Sequence, residues 1–163
     1  MGYRNILVTL DGSKLSELAL QHAVRVAEPG ASIYILSVLA EEGPTSEVAA
    51  LASARAYQTP QADRQWPQTK RRDPREVDAR KKYLDEVSEW LQPAGYSVNV
   101  EARAGSTIDT ILEVANRGFE VIVMATHART GINKTVLGSV TEAVLRDAPC
   151  PVLVVTANSS SAK

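Results

Sequence analysis

The segment VIVMATHARTGINKTVLGSVTEAVLRDAPCPVLVV, residues 121–155, decides the fold. It opens with an apolar run at 121–124 and closes with a second one from Val152 to Val155. Short apolar runs of this kind are typical of strands that are buried on both faces. Between them, the pattern predicts a helix that begins near Ser139 and ends before Pro149. The segment is therefore predicted to fold as strand, loop, helix and strand.

The rest of the chain repeats this alternation of strands and helices. A strand at 6–10 stops at Asp11, and Ser13 is placed to cap an amphipathic helix that ends by Pro29 and Gly30. Further strands are predicted at 33–38 and 96–100, and further helices at about 76–91 and from Ser106 to Gly118. Such an order predicts an open, doubly wound α/β fold, in which right-handed βαβ units build a parallel sheet with helices on both faces.

Length and composition predict a single domain with one interruption. A chain of 163 residues fits one domain, here residues 1–156, followed by a polar tail at 157–163. Residues 43–75 break the alternation: they include an alanine-rich stretch and then a cationic stretch whose one aromatic residue is Trp66. This insert is predicted to be flexible. It is either a solvated loop or a docking surface for a protein partner of acidic character.

Charge and cysteine content exclude several functional classes. The 18 Lys and Arg residues nearly balance the 19 Asp and Glu residues, so the sequence predicts neither nucleic-acid binding nor binding to a membrane surface. One cysteine and two histidines leave little for a disulfide or a zinc site. No apolar run approaches the roughly 18 residues of a membrane span. We therefore expect a cytoplasmic protein without a metal site.

Two segments could hold a ligand at the carboxyl ends of the strands, where doubly wound sheets bind their ligands. Asp11 follows the first strand, and residues 125–139 join a later strand to a helix whose N-terminus suits a phosphate. Both segments also have readings that need no ligand. Asp11 to Ser13 can be a turn with a helix cap, and Ser139 with Glu142 can be a capping box.

Three motifs together resemble the universal stress protein family: ILVTLDGS at 6–13, ILSVLAE at 35–41, and the segment 121–155 quoted above. The resemblance covers nearly all of the chain outside the insert. It implies a Rossmann-like fold of the adenine nucleotide alpha-hydrolase type, with five parallel strands in the order 3-2-1-4-5. It also implies a role in stress tolerance and a homodimer formed through the last strand.

The resemblance also implies where a nucleotide would bind. In nucleotide-binding members the loop reads Gly, two residues, Gly, nine residues, Gly, then Ser or Thr, and these positions are Ala125, Ala128, Gly138 and Ser139 here. Asp11 matches the acidic adenosine contact and Val38 the position at the adenine edge. The implied ligand is ATP or another adenine nucleotide, with or without Mg²⁺. The implied site consists of Asp11, Val38, Ala125, His127, Ala128, Arg129, Gly138, Ser139 and Val140.

Ala125 and Ala128 stand where nucleotide-binding members have glycine, and this leaves two functions open. If either position needs a positive φ, alanine costs roughly 1–2 kcal/mol there. The chain is then either a stress-response protein that binds an adenine nucleotide, or a dimeric interaction module that has lost nucleotide binding. Under the first hypothesis, glycine at both positions is expected to strengthen binding and Asp11→Ala to abolish it.

An enzymatic function is not predicted. A slow ATPase or an autophosphorylating protein using Ser139 or Thr141 would need a general base, and the sequence indicates none. His127 has no predicted orienting carboxylate, so it is interpreted as a loop-packing residue. The apolar edge strand from Val152 to Val155 is expected to pair with its two-fold mate, the alternative being coverage by the tail from Ala157.

Overall fold

The computed structural model describes residues 2–41, 71–126 and 137–156. Its elements are, in chain order, β1 (Tyr3–Thr9), α1 (Lys14–Val26), β2 (Ala27–Ala40), α2 (Pro74–Ser88) with a 3-10 turn (Glu89–Leu91), β3 (Ser97–Gly105), α3 (Thr107–Ala115), β4 (Val121–Thr126), α4 (Ser139–Asp147) and β5 (Val152–Thr156). No helix within these ranges combines the length and the apolar character that a membrane crossing needs. The alanine-rich stretch of the insert, the segment around Trp66 and the tail from Ala157 lie outside the described residues.

The strands form one parallel sheet in the order β3-β2-β1-β4-β5, which confirms the predicted fold. The central strand β1 pairs with β2 on one side and β4 on the other, so Val8 lies between Ile35 and Val123. The chain winds outward in opposite directions from β1. The carboxyl ends of β1 and β4 are therefore the point at which strand order reverses and a crevice opens.

Alternation along the strands divides the core into two layers. On one face, Ile6 and Val8 pack with residues of α1 and α2 such as Leu20 and Leu84. On the other face, Leu7 packs with residues of α3 and α4, including Val144. Covering both faces with helices is why the central strands are apolar at successive positions rather than at alternate ones.

The first helix is capped as predicted. Ser13 has extended backbone dihedral angles, and its Oγ accepts a hydrogen bond from the N–H group of Ser16 at 3.1 Å. A side-chain acceptor at this position satisfies one of the free N–H groups of the first turn. The helix ends at Val26, before Pro29 and Gly30, also as predicted.

The second strand is longer than predicted, because it begins at Ala27 rather than Ile33. Tyr3 pairs with Ala27 whereas Asn5 pairs with Ser32, so an irregularity containing Pro29 and Gly30 lies inside the strand. A bulge accommodates both residue types, proline because it needs no ladder partner there and glycine because its φ is +79°. A turn signal in the sequence is therefore absorbed within a strand.

The helix after the insert also begins earlier than predicted, at Pro74 rather than near residue 76, with Asp73 as its N-cap. The last residues of the predicted insert 43–75 thus belong to α2. Arg72 donates from Nε to the carbonyl oxygen of Ala40 at 2.8 Å. The described residues on either side of 42–70 are consequently held together beside the carboxyl end of β2.

The capping box considered as the ligand-free reading of Ser139 and Glu142 does not form. Its N-cap is Gly138, without a side-chain cap hydrogen bond, and Ser139 is the first helical residue. Because the helix starts one residue earlier than a box would require, the hydroxyl of Ser139 is not in the capping position. The ligand-free explanation for Ser139 and Glu142 therefore does not apply.

Candidate functional site

A cavity of about 150 Å³ lies at the carboxyl ends of β1, β2 and β4, on the sheet face that α3 and α4 cover. A cavity of about this size holds one aromatic ring in other proteins. Its lining combines apolar side chains with hydroxyl groups, which suits a flat heterocycle with polar edges. The lining residues are Thr9, Leu10, Asp11, Ser16, Leu36, Val38, Thr107, Ile111, Met124, Ala125, Val140 and Thr141.

The structure brings four of the predicted site residues together around this cavity. Asp11, Val38, Ala125 and Val140 all line it, although they come from the end of β1, from β2, from β4 and from α4. The remaining lining residues were not predicted as site residues; most of them lie near strand ends or in the first turns of helices, and only this position would have indicated them.

The other predicted site residues are not in the lining. Gly138 and Ser139 are exposed at the start of α4, directly before Val140. His127, Ala128 and Arg129 lie outside the described residues.

Asp11 is exposed, and local hydrogen bonds orient it. Its Oδ1 accepts from the N–H group of Ser13 at 2.8 Å, and its own N–H group donates to the Oγ of Ser16 at 3.3 Å. Ser16 in turn donates to the carbonyl oxygen of Ser13 at 2.8 Å. A carboxylate held in this way at the cavity mouth can accept hydrogen bonds from sugar hydroxyl groups.

Arg80 of α2 supports the same turn from the opposite face of the sheet. Its Nη1 donates to the carbonyl oxygen of Asp11 at 2.7 Å and to the Oγ of Ser37 at 3.0 Å. The neighbouring Tyr83 hydroxyl donates to Glu17 at 3.0 Å, and burial together with this hydrogen bond raises the pKa of Tyr83 to about 12. The phenol is therefore protonated at neutral pH.

Ala125 does not carry the backbone strain that the sequence analysis considered. It lies within β4, and no non-glycine residue in the described ranges has a positive φ. The residue also packs against the core layer beneath α1 and α2. The expected cost of roughly 1–2 kcal/mol for a left-handed conformation therefore does not arise at this position.

Gly138 is in an ordinary conformation as well. Its φ is −60°, and its N–H group donates to the Oγ1 of Thr126 at 3.2 Å. A Cβ built at Gly138 would meet that Oγ1 at 3.5 Å, an ordinary contact distance. Among the described atoms, nothing crowds this position enough to demand glycine.

Comparisons with known proteins agree with the geometry. The sequence model of the Universal stress protein family matches residues 2–156. The chain is 31% identical over 163 residues to Universal stress protein MJ0531 of Methanocaldococcus jannaschii, covering 94% of this chain and 82% of that protein. It is 27% identical over 161 residues to Universal stress protein MJ0577 of the same organism, covering 97% and 98%.

Solved structures show the same fold. The structure of MJ0577 superposes with a TM-score of 0.68 at 23% identity, covering 96% of this chain and 97% of that one. UspA from Lactobacillus plantarum gives a TM-score of 0.64 at 21% identity, with 95% and 99% covered. A universal stress protein in complex with cAMP gives 0.59 at 20% identity, with 96% and 98% covered.

Proposed function

Because the chain belongs to the universal stress protein family, we propose that its cavity beside Asp11 binds ATP or another adenine nucleotide. The observation that carries the proposal is the convergence of Asp11, Val38, Ala125 and Val140 on one cavity at the point where strand order reverses. A relative of the same fold has been solved with cAMP, which supports an adenine nucleotide as the ligand class.

The described residues fit the parts of such a ligand. The apolar walls formed by Leu36, Val38 and Met124 suit the faces of the base, and Asp11 suits the hydroxyl groups of the ribose. The cavity of about 150 Å³ has room for the base alone, so sugar and phosphates would lie toward its mouth. There, Gly138 and the first N–H groups of α4 are suited to hold a phosphate.

The predicted loop residues extend this proposal. The phosphate side of the site would be completed by His127, Ala128 and Arg129, with or without Mg²⁺. The assignment of these three residues rests on the sequence motif alone. Because Ala125 adopts an ordinary strand conformation, only Ala128 still argues on backbone grounds for lost binding. This shifts the balance toward a protein that retains its nucleotide.

Isothermal titration calorimetry of the nucleotide-stripped protein tests the proposal, with ATP and Mg²⁺, AMP and cAMP as ligands. We expect micromolar binding by at least one of them, abolished in Asp11→Ala and in Val38→Phe, whose ring would fill the cavity. Asp78→Ala is the matched control, because this exposed carboxylate on α2 lies outside the lining. The absence of a heat signal up to millimolar ligand would refute the proposal. The alternative would then remain, a dimeric interaction module that has lost nucleotide binding.

We also propose that β5 mediates a homodimer. In the described ranges β5 pairs with β4 on one side, and its Val152, Leu153 and Val154 are only half-buried. Pairing across a two-fold axis would cover this apolar edge. Analytical ultracentrifugation should give a dimer for the wild type and a monomer for Val154→Glu with unchanged circular dichroism. A monomeric wild type would contradict the proposed homodimer.

The cytoplasmic location stays a prediction.

A further inference from the structure

Arg80 connects α2 to the turn that carries Asp11. Its Nη1 bridges two oxygen atoms at the carboxyl ends of neighbouring strands, the carbonyl oxygen of Asp11 and the Oγ of Ser37. Ser37 is fully buried and Arg80 half-buried, so this bridge is partly shielded from water. The guanidinium carbon also lies 6.0 Å from the ring centre of Tyr83, which packs beside it.

Gly12 completes the same unit. A Cβ built there would lie 2.8 Å from Nη1 and 3.0 Å from Cζ of Arg80, closer than side chains approach. The φ of Gly12 is +91°, a conformation that glycine adopts without strain. Glycine at 12 and arginine at 80 are therefore mutually adapted: the missing side chain makes room for the guanidinium group, which then binds the preceding carbonyl.

We propose that Arg80 is a positioning residue for nucleotide binding. By fixing the carbonyl oxygen of Asp11 from the α2 side, it fixes the direction in which the carboxylate leaves the turn on the cavity side. The inference rests on the proposed function. It makes affinity depend on a residue that lies 69 positions away and on the sheet face opposite the cavity.

Arg72, which directly precedes the N-cap of α2, provides a matched control. Its Nε donates to a main-chain carbonyl oxygen as well, that of Ala40 at the end of β2, at 2.8 Å. Both arginines thus fasten the α2 segment to the carboxyl edge of the sheet, but only Arg80 bonds to the residue proposed to contact the ligand. A purely structural role would give the two positions the same effect on affinity.

The experiment combines hydrogen–deuterium exchange of the ligand-free protein with calorimetric ATP titration, for Arg80→Met, Arg80→Lys and Arg72→Met. Methionine keeps the apolar stem and removes every donor. We expect Arg80→Met to speed amide exchange in the peptide 9–16 and to weaken ATP binding about tenfold, the effect of one lost hydrogen bond. Arg80→Lys should restore most of the affinity, and Arg72→Met should change neither quantity at the site.

The two readouts separate this inference from the proposed function. Unchanged exchange of peptide 9–16 in Arg80→Met would overturn the inference whether or not ATP binds. Faster exchange with unchanged ATP affinity would overturn it too, because the turn would then be loosened without consequence for the ligand. If the wild type binds no adenine nucleotide while exchange still rises in Arg80→Met alone, the proposed function fails and the hold of Arg80 on the turn is supported.

Discussion

Replacing Gly12 by alanine measures how closely the turn after β1 packs against Arg80. The added methyl group meets two costs at this position. The first is the φ of +91°, which costs an L-residue roughly 1–2 kcal/mol. The second is the distance of 2.8 Å to Nη1 of Arg80, which forces the guanidinium group away from its partners. Losing the partly exposed hydrogen bonds from Arg80 to Asp11 and Ser37 adds about 1–2 kcal/mol to the loss of stability.

Gly95 offers a control in which only the first cost applies. Its φ is +92°, and a Cβ built there meets nothing within 4 Å. We therefore expect Gly95→Ala to lower the free energy of unfolding by about 1–2 kcal/mol and Gly12→Ala by about 2–4 kcal/mol. In the Arg80→Met background the second cost is absent, so the whole loss of stability caused by Gly12→Ala should fall to the value found for Gly95→Ala.

Urea unfolding followed by circular dichroism gives the four free energies of the cycle, with thermal melting as a second measure. For a chain of this size, each kcal/mol lowers Tm by about 2–4 °C. Equal losses for Gly12→Ala and Gly95→Ala would refute the close packing. The same loss for Gly12→Ala with and without Arg80 would also refute it. Losses below about 0.5 kcal/mol for both glycines would refute the argument from φ.

Three further predictions concern Ala125, Glu120 and Tyr83. Ala125→Gly alone should lower the free energy of unfolding by about 0.5–1 kcal/mol. It should leave ATP affinity unchanged in calorimetry, because Ala125 carries no backbone strain that glycine could relieve. Any gain in affinity in the double variant Ala125→Gly with Ala128→Gly would therefore come from Ala128→Gly. Hydrogen bonds from two backbone N–H groups of β1 hold the pKa of Glu120 below its ordinary 4.5; the stability they provide is present above that pH and is lost as pH falls through the lowered pKa. Urea titrations should thus show Glu120→Gln less stable than wild type at pH 7 and equal to it in acid. The pKa of Tyr83 is raised to about 12, so the stability that its protonated phenol provides is complete below pH 10 and is lost between pH 10 and 12. Tyr83→Phe should therefore remove a phenolate absorbance change near pH 12.

Local patterns in the sequence were sufficient for most elements of the fold. The apolar run around Val8 predicted a doubly covered strand because a parallel sheet leaves no solvated face. Ser13 predicted the start of α1 because capping involves residues close together in the chain. The strand order, in contrast, came from the family resemblance, since pairing between distant strands leaves no local signal.

The site was predictable only where it is built from strand ends. Asp11 follows from the rule that parallel sheets bind ligands at their carboxyl edge, whereas Val38 was implied only by the family resemblance. Arg80 had no such signal, because one charged residue on an amphipathic helix reads as part of a solvated face. The positive φ that was considered for Ala125 is absent for a related reason. The φ of this residue depends on how far β4 extends, and strand ends are set by tertiary pairing.

The candidate site is divided between the two faces of the sheet, and this division separates the proposed ligand contacts from the residues that support them. The lining comes mostly from the strand ends and from α3 and α4, with Ser16 of α1 beside them, whereas the turn bearing Asp11 is fastened by α2 on the other side. Asp11 connects the two faces because two of its groups have different partners. Its carboxylate accepts a hydrogen bond from the N–H group of Ser13, and its carbonyl oxygen accepts one from Arg80. Substitutions on α2 can therefore change affinity while the lining stays the same.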